Sequence, residues 1–250
     1  MNFAKGTLVS FMLGLVFTAA PMASAATCSN STIKGTYGRI SSGLNGSSQP
    51  AASIYQFTAD GNGNLSGTAT KSVDGSIVTF TYTGTYQISA NCTGTATGTN
   101  QDGEVEHGNL YLNDGHLGAF TIQTDAVHVE AGSALTQGTA TCTNAGVKHS
   151  YSMEFTGLAS VGQVAVAGEL TFNGTGAITG TATLSLNGTI ENSLPVTGTY
   201  SITSTCTGTA QITPKGLSPI NLALVIVDSG KEMYALETDS GTIISGTLEQ

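Results

Sequence analysis

The stretch FTADGNGNLSGTAT, Phe57 to Thr70, returns as LTFNGTGAITGTAT, Leu170 to Thr183. TGTYQISANCTGTA (Thr83 to Ala96) likewise returns as TGTYSITSTCTGTA (Thr197 to Ala210), and IQTD (Ile122 to Asp125) as LETD (Leu236 to Asp239). The offset is 114 residues at the start and end and 113 in the middle. An internal repeat of this length makes the chain two copies of one structural unit. The expected division is a segment 1–25, a first unit 26–138 and a second unit 139–250.

The duplication also acts as a control on the opening stretch. TADGNGNLSG, Thr58 to Gly67, spaces oxygen side chains as a calcium loop does, but Asp60, Asn62 and Asn64 become Asn173, Thr175 and Ala177 in the second copy. Gly61, Gly63 and Gly67 persist as Gly174, Gly176 and Gly180. Backbone freedom is what the copies share, so the stretch reads as a tight turn. An EF-hand would also want Gly and Glu where Leu65 and Lys71 stand.

Turn signals of the Asn-Gly and Asp-Gly kind recur every 8 to 14 residues through the first copy. Between them lie eight strands, near 35–41, 52–59, 64–71, 76–89, 93–99, 104–112, 116–123 and 126–137, and the second copy repeats the scheme. The composition agrees: 33 Gly, abundant β-branched Thr and no helical periodicity. Short consecutive connections make an antiparallel meander, and eight strands suffice to close a sheet on itself. The fold expected is all-β, with two tandem antiparallel up-and-down eight-stranded β-barrels; a pair of β-sandwiches is the alternative. Val164, Val166, Leu170 and Phe172 alternate onto one face, as half-buried strands do. Ile220 to Val227, INLALVIV, is apolar on both faces, so its outer face is expected to be covered by the first unit or by a partner.

Four cysteines, Cys28, Cys92, Cys142 and Cys206, give each copy one pair 64 positions apart. Three pairings are formally open, and bridges within each copy are the economical choice. Met1 to Ala25 reads as a signal peptide, with Lys5, an apolar run from Leu8 to Ala20 and the cleavage motif Ala23-Ser24-Ala25. The expected location is therefore secreted or periplasmic, where disulfides form. No later segment is apolar enough for a transmembrane helix. Without Lys5, six basic residues oppose sixteen acidic ones, a formal charge of −10, which argues against nucleic acid as a partner.

Gly35-Thr36-Tyr37, ADGNGNLSGT (Ala59 to Thr68) and YTGTY (Tyr82 to Tyr86) stand in the order of the GTW, ADGxLTGTY and LTGRY motifs of avidin-like barrels, which they resemble. That resemblance to avidin and lipocalin-like calycin barrels implies a barrel able to hold a small ligand. The chain has no Trp, with which avidins line the biotin site, and Ala69 replaces the last tyrosine, so biotin is not implied. Leu170 to Thr181, Thr197 to Gly208 and Leu224 to Glu232 resemble secreted Gly/Thr-rich repeat proteins of soil bacteria. This second resemblance implies an exported compartment and carries no activity.

Glu104, Glu106 and His107 form the densest polar cluster, with His116, His128 and Glu130 further along the same copy. Across neighbouring strands these could assemble a metal or acid/base site, the basis of a hydrolase or metal-binding reading. The second copy has Ser218, Ile220, Asn221, Gly230, Thr242 and Ile244 at these six positions, which favours a solvated hairpin. Nucleophile-elbow, HExxH, P-loop and dinucleotide-binding motifs do not occur. The expectation is a non-enzymatic structural or surface-associated protein with no catalytic, metal or cofactor residues. The alternative is a binder of a small apolar ligand. An open interior of 300 Å³ or more would favour the binder, and an interior filled by residues such as Val164, Val166, Leu170 and Phe172 the structural role.

Overall fold

The structure is a computed structural model that describes residues 27–46, 48–113, 115, 117–138 and 141–250. The segment 1–25, expected from the sequence to be a signal peptide, and His116 lie outside the described residues. The chain forms two closed, antiparallel eight-stranded barrels in tandem. The first consists of β1 (Gly35–Asn45), β2 (Gln49–Ala59), β3 (Asn64–Val73), β4 (Ser76–Ile88), β5 (Thr93–Asn100), β6 (Val105–Leu112), β7 (Gly118–Gln123) and β8 (Val129–Thr136). The second consists of β9 (Ser150–Ala159), β10 (Gly162–Phe172), β11 (Ala177–Leu186), β12 (Thr189–Ile202), β13 (Thr207–Pro214), β14 (Ile220–Val227), β15 (Glu232–Glu237) and β16 (Ile243–Glu249). Each strand pairs with the next, and the last closes on the first: β8 on β1 and β16 on β9. Among the described residues closure leaves no unpaired sheet edge.

One end of each barrel is stopped by the same device. A 3-10 turn, Asn30–Ile33 or Asn144–Val147, precedes the first strand. The Asn30 side chain accepts a bond from the Ile88 amide, and Asn144 does so from Ile202. The Tyr86 hydroxyl donates to the Asn30 carbonyl and accepts from the Gly61 amide, and Tyr200 repeats both contacts with Asn144 and Gly174. Disulfides Cys28–Cys92 and Cys142–Cys206 join this end within each copy, with Cα separations of 5.0 and 4.9 Å. The Asp60 carboxylate accepts from the Asn62 and Asn64 amides and the Asn64 side chain; Asn173 accepts from the Thr175 and Ala177 amides. Both stretches are turns, in which Gly61 and Gly174 take the same left-handed φ of 84°.

The apolar outer face of β14 is covered by the first barrel. Val225, Val227, Tyr234 and Leu236 pack against Ala52 and Ile54, with Ile40 alongside. The Ser72 hydroxyl donates to the Thr242 carbonyl and the Gly241 amide to the Gly75 carbonyl, which adds polar contacts to the junction. The corresponding outer face of the first barrel, Tyr111, Phe120, Ile122 and Val129, is exposed.

Candidate functional site

The two barrels share a backbone but not an interior. In the second, Tyr151, Met153, Phe155, Leu170, Phe172, Leu222, Leu224 and Leu248 belong to one buried cluster, with Val164 and Val166 packed against it. The nineteen buried residues of this cluster fill the barrel as a protein core is filled. The first barrel holds a cavity of about 970 Å³ that is partly open to solvent. Its cause is a set of small residues at inward positions. Gly98, Gly108, Ala119 and Ala134 line the cavity, and their counterparts 114 residues later are Ile212, Leu222, Met233 and Leu248, all buried.

The cavity is graded along its axis. At the stopped end Tyr37 stacks on Phe57 with ring centroids 5.3 Å apart, among Ile33, Leu65, Tyr86, Leu110 and Leu112. One inward position further along their strands lie Arg39 and Tyr55, paired across β1 and β2. The Arg39 guanidinium carbon sits 4.7 Å from the centroid of the Tyr55 ring, and its Nε donates to Thr121 Oγ1 at 2.9 Å. Tyr82 meets Tyr55 edge to face, at 5.8 Å between centroids. Burial raises the Tyr82 phenol above its usual range, with Tyr55 and Glu106 adding to this and Arg39 opposing it.

Next comes a charged layer. Lys71 Nζ lies 2.9 Å from Glu130 Oε1 and 3.5 Å from Glu106 Oε1. The Lys71 and Glu130 side chains are only 6% and 1% exposed, so their charges depend on each other. Burial pulls against the Lys71 ammonium, but Tyr55, Glu130 and Glu106 together hold its pKa above the usual value. Ser41 and Ser53, hydrogen-bonded to each other at 2.8 Å, are buried beside this layer in strand register. Beyond it the cavity is lined by residues in or next to the β1–β2, β5–β6 and β7–β8 connections, including Gln49, Asn100, Asp102, Asp125 and His128.

The polar residues singled out in the sequence separate. Glu104 accepts a bond from the Asn100 side chain at the β5–β6 turn, and Glu106 faces inward to Lys71. His107 Nδ1 meets Asp125 Oδ1 at 2.7 Å while its amide donates to the other Asp125 oxygen. That pair resembles a catalytic dyad, but Asn221 and Asp239 make the same side-chain and amide contacts in the second barrel, at 2.7 and 2.8 Å. The pair is thus a strut tying β6 to the turn after β7. Among the described residues no three His, Cys, Asp or Glu side chains are grouped to hold a metal ion. Glu130, read from sequence as a neighbour of His128 in a possible metal site, is an ion-pair partner of Lys71.

Arg39, Tyr55, Lys71 and Tyr82 were not singled out by sequence reasoning. A usable signal was present: at inward positions the second copy replaces them by Met153, Gly168, Leu184 and Val196. No protein-family model matches this chain, and a search of curated proteins found no significant match.

Proposed function

We propose that this is an exported, non-enzymatic small-molecule-binding protein whose first barrel holds the ligand and whose second barrel is its structural support. The contrast between the barrels carries this reading. The same fold closes stably around an apolar core in the second copy, so neither the cavity nor the charges of the first are needed for folding. Retaining a cavity lined by the Lys71–Glu106 ion pair, four tyrosines and an arginine is understandable if a molecule occupies it. The disulfides support an extracellular or periplasmic setting. The structural reading made from the sequence is favoured for the second barrel by its filled interior.

The test is titration of the mature chain with the neutral fluorescent probe N-phenyl-1-naphthylamine. One equivalent is expected to bind, and the cavity-filling pair Ala119→Met with Ala134→Leu, the residues of the second barrel, is expected to abolish it. Absence of probe binding to the wild type, together with no retained ligand in native mass spectrometry, would refute the proposal.

A further inference from the structure

Arg39 is the one cation of the cavity wall with no carboxylate beside it among the described residues. Both carboxylates of the charged layer, Glu106 and Glu130, are directed at Lys71. The guanidinium is nevertheless held firmly. Thr121 takes the Nε hydrogen and Tyr55 covers one face, which leaves the four hydrogens of the terminal nitrogens without a hydrogen-bond partner among the described residues. An arginine fixed by stacking and by Nε presents its remaining donors as a preorganised fork, the geometry that receives a planar oxyanion. The second copy shows that the barrel does not need it, because Met153 occupies the same place.

Building on the binding role proposed for the first barrel, we infer that Arg39 is the anion-recognising residue and that the ligand is a compact amphipathic carboxylate. The carboxylate meets the Arg39 fork. Its apolar body lies on the side of Tyr37 and Phe57, one inward step along the strands, or roughly 7 Å away. That depth suits a ring or a short branched chain. A cationic ligand is disfavoured, since the two inward carboxylates are already taken up by Lys71.

The experiment uses three molecules with one skeleton: 4-phenylbutyrate, its primary amide and 4-phenylbutylamine. Each displaces N-phenyl-1-naphthylamine from the mature, disulfide-bonded chain. The carboxylate is expected to bind at least tenfold more tightly than the amide, and the amine more weakly still. Arg39→Met is expected to lower carboxylate affinity at least tenfold and so remove the preference for the carboxylate over the amide. Arg39→Lys, which keeps the charge and loses the fork, is expected to retain part of it. Retained dye binding shows that either variant is folded. Equal binding of carboxylate and amide, a preference for the amine, or a carboxylate preference that survives Arg39→Met would each overturn the assignment of Arg39 while the cavity reading stood. Failure of the dye and all three compounds to bind the wild type would overturn both.

Discussion

Lys71 and Glu130 form an ion pair of 2.9 Å inside the first barrel, at positions that Leu184 and Ile244 occupy in the second. The duplicated fold accommodates either a salt bridge or a hydrocarbon contact at this point of its interior. Charges buried to this degree are removed from water, and their mutual attraction must offset that cost. What the pair contributes is therefore better sought in the chemistry of the cavity than in stability.

Removing one member should be much worse than removing both. Lys71→Leu leaves Glu130 buried without its partner, a loss of about 3–5 kcal/mol. The double variant Lys71→Leu with Glu130→Ile installs the residues of the second barrel and should recover most of that loss, while Glu106, 41% exposed, stays hydrated. Urea denaturation of the two variants checks this. Equal destabilisation by the single and double changes would contradict it.

The two disulfides close loops of the same length but should not matter equally. A separation of 64 residues corresponds to about 4 kcal/mol in the chain-entropy account. The second barrel has a continuous apolar cluster to fall back on, whereas the buried cluster of the first is confined to its stopped end. Cys28→Ser with Cys92→Ser should raise hydrogen exchange throughout β1 to β8. Cys142→Ser with Cys206→Ser should raise it mainly around the Asn144 turn. Equal loss of protection in both barrels would go against this difference in core packing.

The junction between barrels rests on few side chains, with Ile54 and Tyr234 among the most buried at 2% and 1% exposed. An Ile54→Asp substitution puts a carboxylate against Val225 and Leu236 with no cation in that cluster. The barrels should separate, so that calorimetry resolves two transitions and the radius of gyration rises in small-angle scattering. A single transition with an unchanged radius would mean that polar contacts such as Ser72 to Thr242 suffice to hold the junction.

The architecture was legible in the sequence because it rests on local rules repeated twice. Asp60 and Asn173 mark the same turn, Cys28 and Cys142 open the same loop, and the two-sided apolar run at Ile220 to Val227 announced a covered face that Ala52 and Ile54 supply. The site was less legible. Lys71 and Glu130 are 59 positions apart and meet only because closure of the barrel brings β3 and β8 to face one interior. The cluster of Glu104, Glu106 and His107 looked promising because the residues are adjacent in sequence, but strand alternation sends Glu106 and His107 to opposite faces. The hollow itself is a matter of what is missing, such as Gly98 against Ile212 and Ala134 against Leu248. It becomes visible once inward positions of the two copies are compared.

Stability should fall as pH rises from weakly acidic to neutral, against the usual behaviour of carboxylates held in ion pairs. Glu232 is pushed up to about 7 by burial, with Glu249 directly across the strand pair and Asp228 adding repulsion. Glu237 is pushed up to about 7 by burial and by Asp239, against a lowering bond from Thr242. Both have ordinary values of 4.5 when exposed. Between pH 4.5 and 7 the folded chain therefore binds more protons than the unfolded one, so the unfolding free energy decreases with pH across that window and levels off above it. Asp60 acts in the opposite sense, since its carboxylate is lowered to about 2 chiefly by the Asn64 side chain and amide, but its contribution disappears only below pH 4. The melting temperature should thus be higher at pH 5 than at pH 7.5. Replacing both glutamates, Glu232→Gln with Glu237→Gln, should flatten the profile and raise the value at pH 7.5. A wild-type melting temperature that climbs between pH 5 and 7.5 would show that Glu232 and Glu237 ionise as freely as they do in the unfolded chain.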